Sequence, residues 1–347
     1  MKRILLLIAL GVSMGTFSQS PGSDTIIFSR FPAETNLQPE TIFPLKNEYV
    51  RKIYVEDNTI TTWSINKEQG YFFRPYNLQG QPLNNGYIGF GFGQYEASGA
   101  ISGGCHRGTY WLHDVASRKI ILASPQKGST DAVTLKEYDI PEFYYSVSLL
   151  DSLQIIGTGR YDAPEKLHRI QLPAFNILTA YGTFTTPPDR TPVNTWRESF
   201  ISFIFNHPDL PMAALACRFS DQVDFIDLKT GKSRVVKGPE NYPAMFGSMH
   251  TMGKDVLERT EDTRFAFVNG TATKKYVYLL YSGNHEVDGA GNLNSTGKKV
   301  YVYDWQGKPV RVLHFPNFIS CIAVNDNDSI LYAFDTDREQ IVRVTLQ

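Results

Sequence analysis

Short apolar runs separated by turn residues recur along the C-terminal part of the chain. Residues 275–281 (KYVYLLY) and 299–304 (KVYVYD) are followed by a WQGK turn and another apolar run at 309–315. The pattern then begins again with 319–324 (ISCIAV), a polar turn, and 330–335 (ILYAFD). Runs of this length, rich in β-branched and aromatic residues and bounded by turns, predict β-strands. A repeated four-strand unit is typical of a β-propeller blade.

The turn between the outer strands of this unit has counterparts earlier in the chain. The segment 304–309 (DWQGKP) closely parallels 77–82 (NLQGQP), and 227–232 (DLKTGK) is a third copy. Weaker copies occur at 114–118 and 171–175. No segment shows a sustained helical period, so the chain is predicted to be all-β. The copies divide it into six predicted blades, at 48–84, 86–125, 142–184, 196–238, 262–315 and 319–347.

The last predicted blade ends before a fourth strand can form. Residues 24–31 (DTIIFSRF) form a predicted strand with no hairpin of its own. Because an open blade would leave an unpaired edge, we expect this N-terminal strand to complete the last blade and close the ring. A large β-sandwich is the alternative fold, since both architectures share this spacing of turns.

Residues 1–18 have the pattern of a secretory signal peptide. Lys2 and Arg3 precede an apolar run at 4–12, and small residues follow near Ser18. This apolar run is shorter than the roughly 20 residues that span a bilayer, so a retained anchor is the weaker alternative. The predicted organisation is a signal peptide at 1–18 and one six-bladed propeller domain at 19–347, without a transmembrane segment after cleavage. We expect the mature protein to be periplasmic or exported to the cell surface.

Charge and cysteine content narrow the classes of partner. The formal net charge is −1 at pH 7, which lacks the basic footprint of a nucleic-acid-binding protein. Cys105, Cys217 and Cys321 are odd in number and far apart, unlike a disulfide framework. Cys217 and Cys321 lie in apolar runs, where buried cysteine acts as a small hydrophobic residue. Nucleic acid is therefore not a predicted partner; with the signal peptide and the predicted ring, the partner is predicted to be an envelope protein, a peptide or a glycan.

The closing blades resemble a known family. Residues 264–268 (RFAFV), 276–283 (YVYLLYSG), 300–309 (VYVYDWQGKP) and 322–335 (IAVNDNDSILYAFD) are similar to the last blades of TolB-like six-bladed propellers exported by Bacteroidetes. The resemblance implies a six-bladed propeller in a periplasmic or outer-membrane setting, and it implies no catalytic residues. The long loop at 285–298 departs from the pattern, because such proteins usually enter the next strand more directly.

Functional residues in rigid folds tend to occupy loops, so the predicted turns between second and third strands form the candidate site. Five such loops are predicted, at 103–108, 157–162, 217–221, 282–288 and 335–339. Four of them contain an arginine, and the loop at 282–288 contains a histidine beside a glutamate. Arginine binds carboxylate or phosphate through two parallel hydrogen bonds, and Tyr161 would add a stacking surface. Arg197 is placed near the channel, where it either binds a ligand or braces two blades. The predicted ligand-binding residues are Arg107, Arg160, Tyr161, Arg197, Arg218, His285, Glu286 and Arg338.

A structural role for these loop arginines is the alternative. Each would then pair with an acid of its own loop, such as Asp162, Asp221 or Asp335, and solvate the rim. Several motifs fail on spacing. His285 has no second histidine four residues on, as a helical zinc site requires, and the 285–298 loop departs from the calcium-binding pattern. No cofactor or metal is predicted, although calcium binding in that loop stays open.

These observations favour a non-catalytic binding or scaffold propeller of the cell envelope that recognises its ligand at the loop face. The alternative is a lyase or hydrolase acting on a polysaccharide or lactone-like molecule at the channel mouth. Its proton carriers would be sought among His250, His285, Glu286 and Glu198. A purely structural role in a larger envelope assembly is a third possibility, in which exposed aromatic patches would lie on the sides of the propeller.

Overall fold

The computed structural model describes residues 24–65, 70–126, 132–285 and 295–346. The predicted signal peptide at 1–18 lies outside these residues. In the described ranges, none of the helical structure is long and apolar enough to span a membrane.

The chain begins with three short strands that belong to the edges of later sheets. These are β1 (Asp24–Ile27), β2 (Glu34–Asn36) and β3 (Glu40–Pro44).

Three four-stranded antiparallel sheets follow in chain order, the first with a short extra strand, β8, at its outer edge. Blade 1 consists of β4 (Val50–Glu56), β5 (Thr59–Ser64), β6 (Tyr71–Asn77), β7 (Tyr87–Phe90) and β8 (Glu96–Ala97). Blade 2 consists of β9 (Ala100–His106), β10 (Thr109–Asp114), β11 (Lys119–Pro125) and β12 (Val133–Asp139). Blade 3 consists of β13 (Ser146–Asp151), β14 (Gln154–Thr158), β15 (Glu165–Gln171) and β16 (Asn176–Thr183).

The second half of the chain adds a helix and a hairpin to the connections around blade 4. Helix α1 (Val193–Glu198) precedes blade 4, and the hairpin of β21 and β22 follows it. Blade 4 consists of β17 (Ser202–Asn206), β18 (Met212–Cys217), β19 (Gln222–Asp227) and β20 (Ser233–Lys237). The hairpin comprises β21 (Gly247–Thr251) and β22 (Lys254–Glu258).

Blades 5 and 6 share one long strand. Blade 5 consists of β23 (Phe267–Ala272), β24 (Tyr276–Tyr281), β25 (Gly297–Asp304) and the first part of β26 (Pro309–Val324). Blade 6 begins with the second part of β26 and continues through β27 (Ile330–Asp335) and β28 (Gln340–Thr345). β26 therefore serves as the outermost strand of one blade and the innermost strand of the next.

Six hydrophobic clusters hold the blades together, and each lies between two neighbours. One cluster joins Tyr278 and Leu280 of blade 5 to Leu331 of blade 6. Another joins Ile60 of blade 1 to Phe334 of blade 6, so the first and last blades are packed together. The other four clusters fill the remaining interfaces between blades. This arrangement confirms the predicted six-bladed ring, in which second strands such as β24 are buried on both faces and are almost entirely apolar.

An N-terminal strand closes the ring, but it is not the predicted one. β3 pairs antiparallel with β28 and places Phe43, only 3% exposed, in the cluster between blades 6 and 1. β1, within the predicted 24–31 segment, instead pairs in parallel with β20 on the outer edge of blade 4. The prediction that 24–31 completes the last blade is therefore wrong. The apolar residues of the segment 24–31 instead pack on blade 5, where Phe31 contacts Tyr301 and Tyr303.

Two predicted blade boundaries are also wrong. The segment 86–125 begins with β7, which is the fourth strand of blade 1 and pairs with β6. The fourth strand of blade 2 is β12, outside the predicted range. β7 and its surroundings are rich in glycine, so the outer strand of blade 1 lacks the apolar run by which the other strands were recognised. This displacement of one strand changes which loop of blade 2 lies on which face.

Candidate functional site

A channel of about 1080 Å³ runs along the middle of the ring and is lined largely by the first strand of each blade. β4, β9, β13, β17, β23 and the second part of β26 each contribute lining residues. Because these strands run in the same sense, one mouth of the channel is formed where they begin and the other where they end. The channel is therefore a candidate ligand site in the described part of the fold.

The two faces of the propeller carry different loops. Connections between blades and turns between second and third strands lie at the mouth where the first strands begin. We call this the α1 face, because α1 and the β21–β22 hairpin belong to it. Turns between first and second strands, such as the one containing His207, lie on the opposite face.

Arg107 lies on the opposite face, so its predicted grouping with the other loop arginines is wrong. It occupies the turn between β9 and β10, the first and second strands of blade 2. Its guanidinium approaches the carbonyl oxygen of Pro208 at 3.5 Å, in the corresponding turn of blade 4. The error follows from the displaced blade boundary. Arg160, Arg218, His285 and Arg338 belong to the turns of the α1 face.

Arg160 and Arg338 occupy the rim of this face. Arg160 forms ion pairs with Asp162 at 3.0 Å and Glu142 at 3.6 Å, in agreement with the alternative that such arginines pair with acids of the rim. Arg338 is exposed, and its backbone N–H donates to the carboxylate of Asp335. Ion pairs at the surface, such as those of Arg160, contribute about 0–1 kcal/mol each to stability.

Arg218 differs from the rim arginines because its side chain lines the channel. Its Nη1 donates a hydrogen bond of 2.6 Å to the hydroxyl of Tyr145, and its guanidinium lies 4.9 Å from the ring centre of Phe265. Its Nε is buried and has no hydrogen-bond acceptor among the described atoms. The side chain therefore keeps an unused donor within the protein.

Arg51 and Lys52 of β4 are lining residues that the sequence analysis did not identify. The Lys52 amine lies 5.3 Å from the ring centre of Phe205, in the first strand of blade 4, so the side chain reaches across the channel. Burial lowers the pKa of Lys52 to about 8, and Cys321 partly opposes this shift. Burial also lowers the pKa of Arg51, which packs over Trp63, and the charge of Arg218 lowers it further. The α1 end of the channel is thus strongly cationic.

Tyr161 and Arg197 lie beside this end of the channel. Arg197 of α1 donates a hydrogen bond of 2.9 Å to the carbonyl oxygen of Tyr161, which braces the connection before blade 4 against blade 3. The Tyr161 hydroxyl is buried without a hydrogen-bond partner in the described structure. Burial raises the pKa of Tyr161 well above its usual value. Its hydroxyl therefore stays protonated and uncharged at neutral pH.

The described residues considered for catalysis each bond to a different partner. His250 pairs with Asp255 at 2.9 Å, whereas Glu198 accepts a hydrogen bond from the backbone N–H of Leu257 at 2.6 Å. The Nδ1 of His285 lies 3.1 Å from the carbonyl oxygen of Glu261. Glu286 and most of the 285–298 loop, considered for calcium, lie outside the described residues. Within the described part of the chain, no group of three or more His, Cys, Asp or Glu side chains is placed to hold a metal ion.

Exposed apolar side chains accompany the cationic mouth. The hairpin carries Met249 and Met252, which are 47% and 99% exposed, and Met245 just before it is 49% exposed. Val193 of α1 and Phe143, in the connection before blade 3, are also about half exposed. A hydrogen bond of 2.9 Å between Thr195 and Ser248 ties the hairpin to α1. We call Met245, Met249, Met252 and Val193 the methionine surface.

The chain is similar to solved structures and to one protein family. Similar structures include a Bacteroides fragilis protein described as exported, with 12% identity, a TM-score of 0.51, and 93% of this chain and 98% of that chain covered. The Cps50 (Swd1) β-propeller domain of Myceliophteria thermophila is 10% identical, covering 89% of this chain and 100% of its own, with a TM-score of 0.48. No curated protein matches the chain. Residues 28–327 match the family described as TolB-like 6-blade propeller-like, and the chain therefore belongs to that family.

Proposed function

We propose that this protein is a non-catalytic binding or scaffold propeller of the cell envelope, which recognises a polypeptide partner through the α1 face. The methionine surface is the observation that carries this proposal, because exposed apolar side chains grouped on one face are typical of interaction sites. Methionine suits such a surface, since its flexible thioether adapts to irregular contacts.

The location in the envelope is supported by the sequence pattern of 1–18 and by the fold. A signal peptide directs a chain out of the cytoplasm, and the Bacteroides fragilis protein of the same fold is described as exported. In this proposal the rim arginines, Arg160 and Arg338, contribute charge complementarity on the same face as the methionine surface, where they guide association. Glycans, also considered as ligands, would instead require exposed aromatic rings, of which Phe143 is one on this face.

The proposal is tested by capture from an envelope extract with the mature protein, followed by identification of retained polypeptides. The double variant Met249→Ser/Met252→Ser is expected to lose at least about fivefold of the retained partner, because two apolar contacts leave the interface. The matched control is Leu210→Ser, which removes a side chain that is 53% exposed on the opposite face. Equal losses in both variants, or retention of carbohydrate without polypeptide, would overturn the proposal.

A further inference from the structure

Three cations in the α1 half of the channel lack a carboxylate partner in the described structure. The ion pairs of the described residues involve neither Arg51, Lys52 nor Arg218. Arg51 donates a long hydrogen bond of 3.4 Å to the carbonyl oxygen of Ala100. Arg218 donates a hydrogen bond to the neutral hydroxyl of Tyr145. Lys52 contacts the face of Phe205. Neutral partners offset only part of the cost of removing a charge from water.

The carboxylates that line the channel lie at one end of it, where Arg107 and Lys274 also line it. These described carboxylates are Glu56, at the end of β4, and Asp57, Asp209 and Asp326, in turns at the opposite mouth. Asp209 is also paired there with Lys274 at 2.8 Å. The α1 half contains the three cations and no described lining carboxylate. Beside it, Glu198 bonds to the hairpin through Leu257 rather than to Arg218. An anion entering from the α1 face therefore meets only attractive side-chain charges among the described lining residues.

We propose that the α1 half of the channel binds an anionic ligand through a carboxylate or phosphate group held by Arg51, Lys52 and Arg218. The three residues together are the cationic channel site. Charge-assisted hydrogen bonds from guanidinium and ammonium groups are the strong contacts that such anions make. This site lies inside the ring and is distinct from the methionine surface, so it extends the protein's binding role beyond recognition of a polypeptide.

Neighbouring groups are arranged to support such a ligand. Because Arg218 donates to the oxygen of Tyr145, the hydroxyl proton of Tyr145 is available to an anion. Trp63 and Phe265 hold the two guanidinium groups by cation–π contacts of 5.8 Å and 4.9 Å, which limits their motion before binding. The channel volume of about 1080 Å³ exceeds that of a phosphate ion, so the anionic group belongs to a larger molecule or shares the channel with water.

Calorimetric titration of the purified protein with citrate and with inorganic phosphate tests the inference and compares the two anion classes. Glycerol serves as the neutral control, and the buffer contains neither anion class. At least one anion is expected to bind, and Lys52→Met or Arg218→Gln is expected to weaken binding by about tenfold or more. Arg338→Gln, an exposed arginine on the same face, is expected to change affinity less than twofold. Absence of binding by both anions, or an equal effect of Arg338→Gln, would overturn the site.

Amine labelling of the unmodified protein provides a test that does not depend on a variant folding. At pH 8, reductive methylation is expected to modify Lys52, and saturating citrate or phosphate is expected to slow that modification severalfold. Exposed Lys229 serves as the internal control, because its rate should not change. Equal rates at Lys52 with and without both anions would contradict the inference. Both experiments use the protein alone, so they are independent of any failure to capture a polypeptide partner.

Discussion

The amine of Lys52 combines an enclosed position with the absence of a described acidic partner. Its pKa of about 8 in the folded protein is below the value of 10.5 for an ordinary lysine. The unfolded chain therefore binds more protons than the folded chain between about pH 8 and 10.5, and stability contributed by this residue rises with pH in that window. Below pH 8 the cost of the buried charge is constant and fully present.

Lys52→Met is consequently expected to stabilise the protein at pH 7 by about 1–2 kcal/mol, because it removes a desolvated charge while retaining the volume of the side chain. The gain should shrink as pH rises from 8 to 10. Urea unfolding at several pH values, in buffer without carboxylate or phosphate, measures this difference. Lys229→Met, an exposed substitution, is the control. A variant less stable than the parent at pH 7 would show that Lys52 has a structural role instead.

At the scale of elements, the N-terminal strands have unequal roles. β3 completes blade 6, and Phe43 packs on Tyr76 of blade 1 with 5.7 Å between ring centres. β1 adds a parallel strand to a blade that already has four strands, and its Ile27 is 63% exposed. The closure of the ring therefore depends on β3, whereas β1 covers an outer edge.

Phe43→Ala is expected to lower the free energy of unfolding by about 3–5 kcal/mol, since it leaves a cavity where the first and last blades meet. Ile27→Ala is the matched control and is expected to change stability by less than about 0.5 kcal/mol. Denaturant unfolding of both variants measures the contrast. If Ile27→Ala were as destabilising as Phe43→Ala, closure by β3 would be contradicted.

The elements also show what a sequence can predict in a propeller. Second strands such as β24 and β27 are buried on both faces, so their continuous apolar runs identify them directly. Outer strands carry a weaker signal, because one side meets solvent. β16, with five exposed residues in succession, and the glycine-rich β7 illustrate this. The number of blades can therefore be predicted from the second strands. The positions of the outer strands, and with them the face on which each loop lies, cannot.

At the scale of the whole molecule, the candidate site depends on closure of the ring. Arg218 was predicted as a ligand-binding residue, but only the folded ring places its side chain in the channel rather than on the rim. Arg51 and Lys52 lie in a strand whose sequence gives no sign of which side chains face the axis. Lys52 approaches Phe205, and Arg51 lies within electrostatic range of Arg218. Both interactions connect blade 1 with blade 4, which are far apart in the chain. Such long-range placement leaves no local pattern in the sequence, and β4 lies outside the loops from which the candidate residues were predicted.

The cationic channel site is tested most directly by a crystal structure of the mature protein with selenate, an anion that anomalous scattering locates. An anomalous peak is expected in the α1 half of the channel, within hydrogen-bonding distance of Lys52 and Arg218. The peak should disappear in Lys52→Met crystals of the same form. Selenate bound only at the outer surface, with the channel cations contacting water alone, would contradict the account.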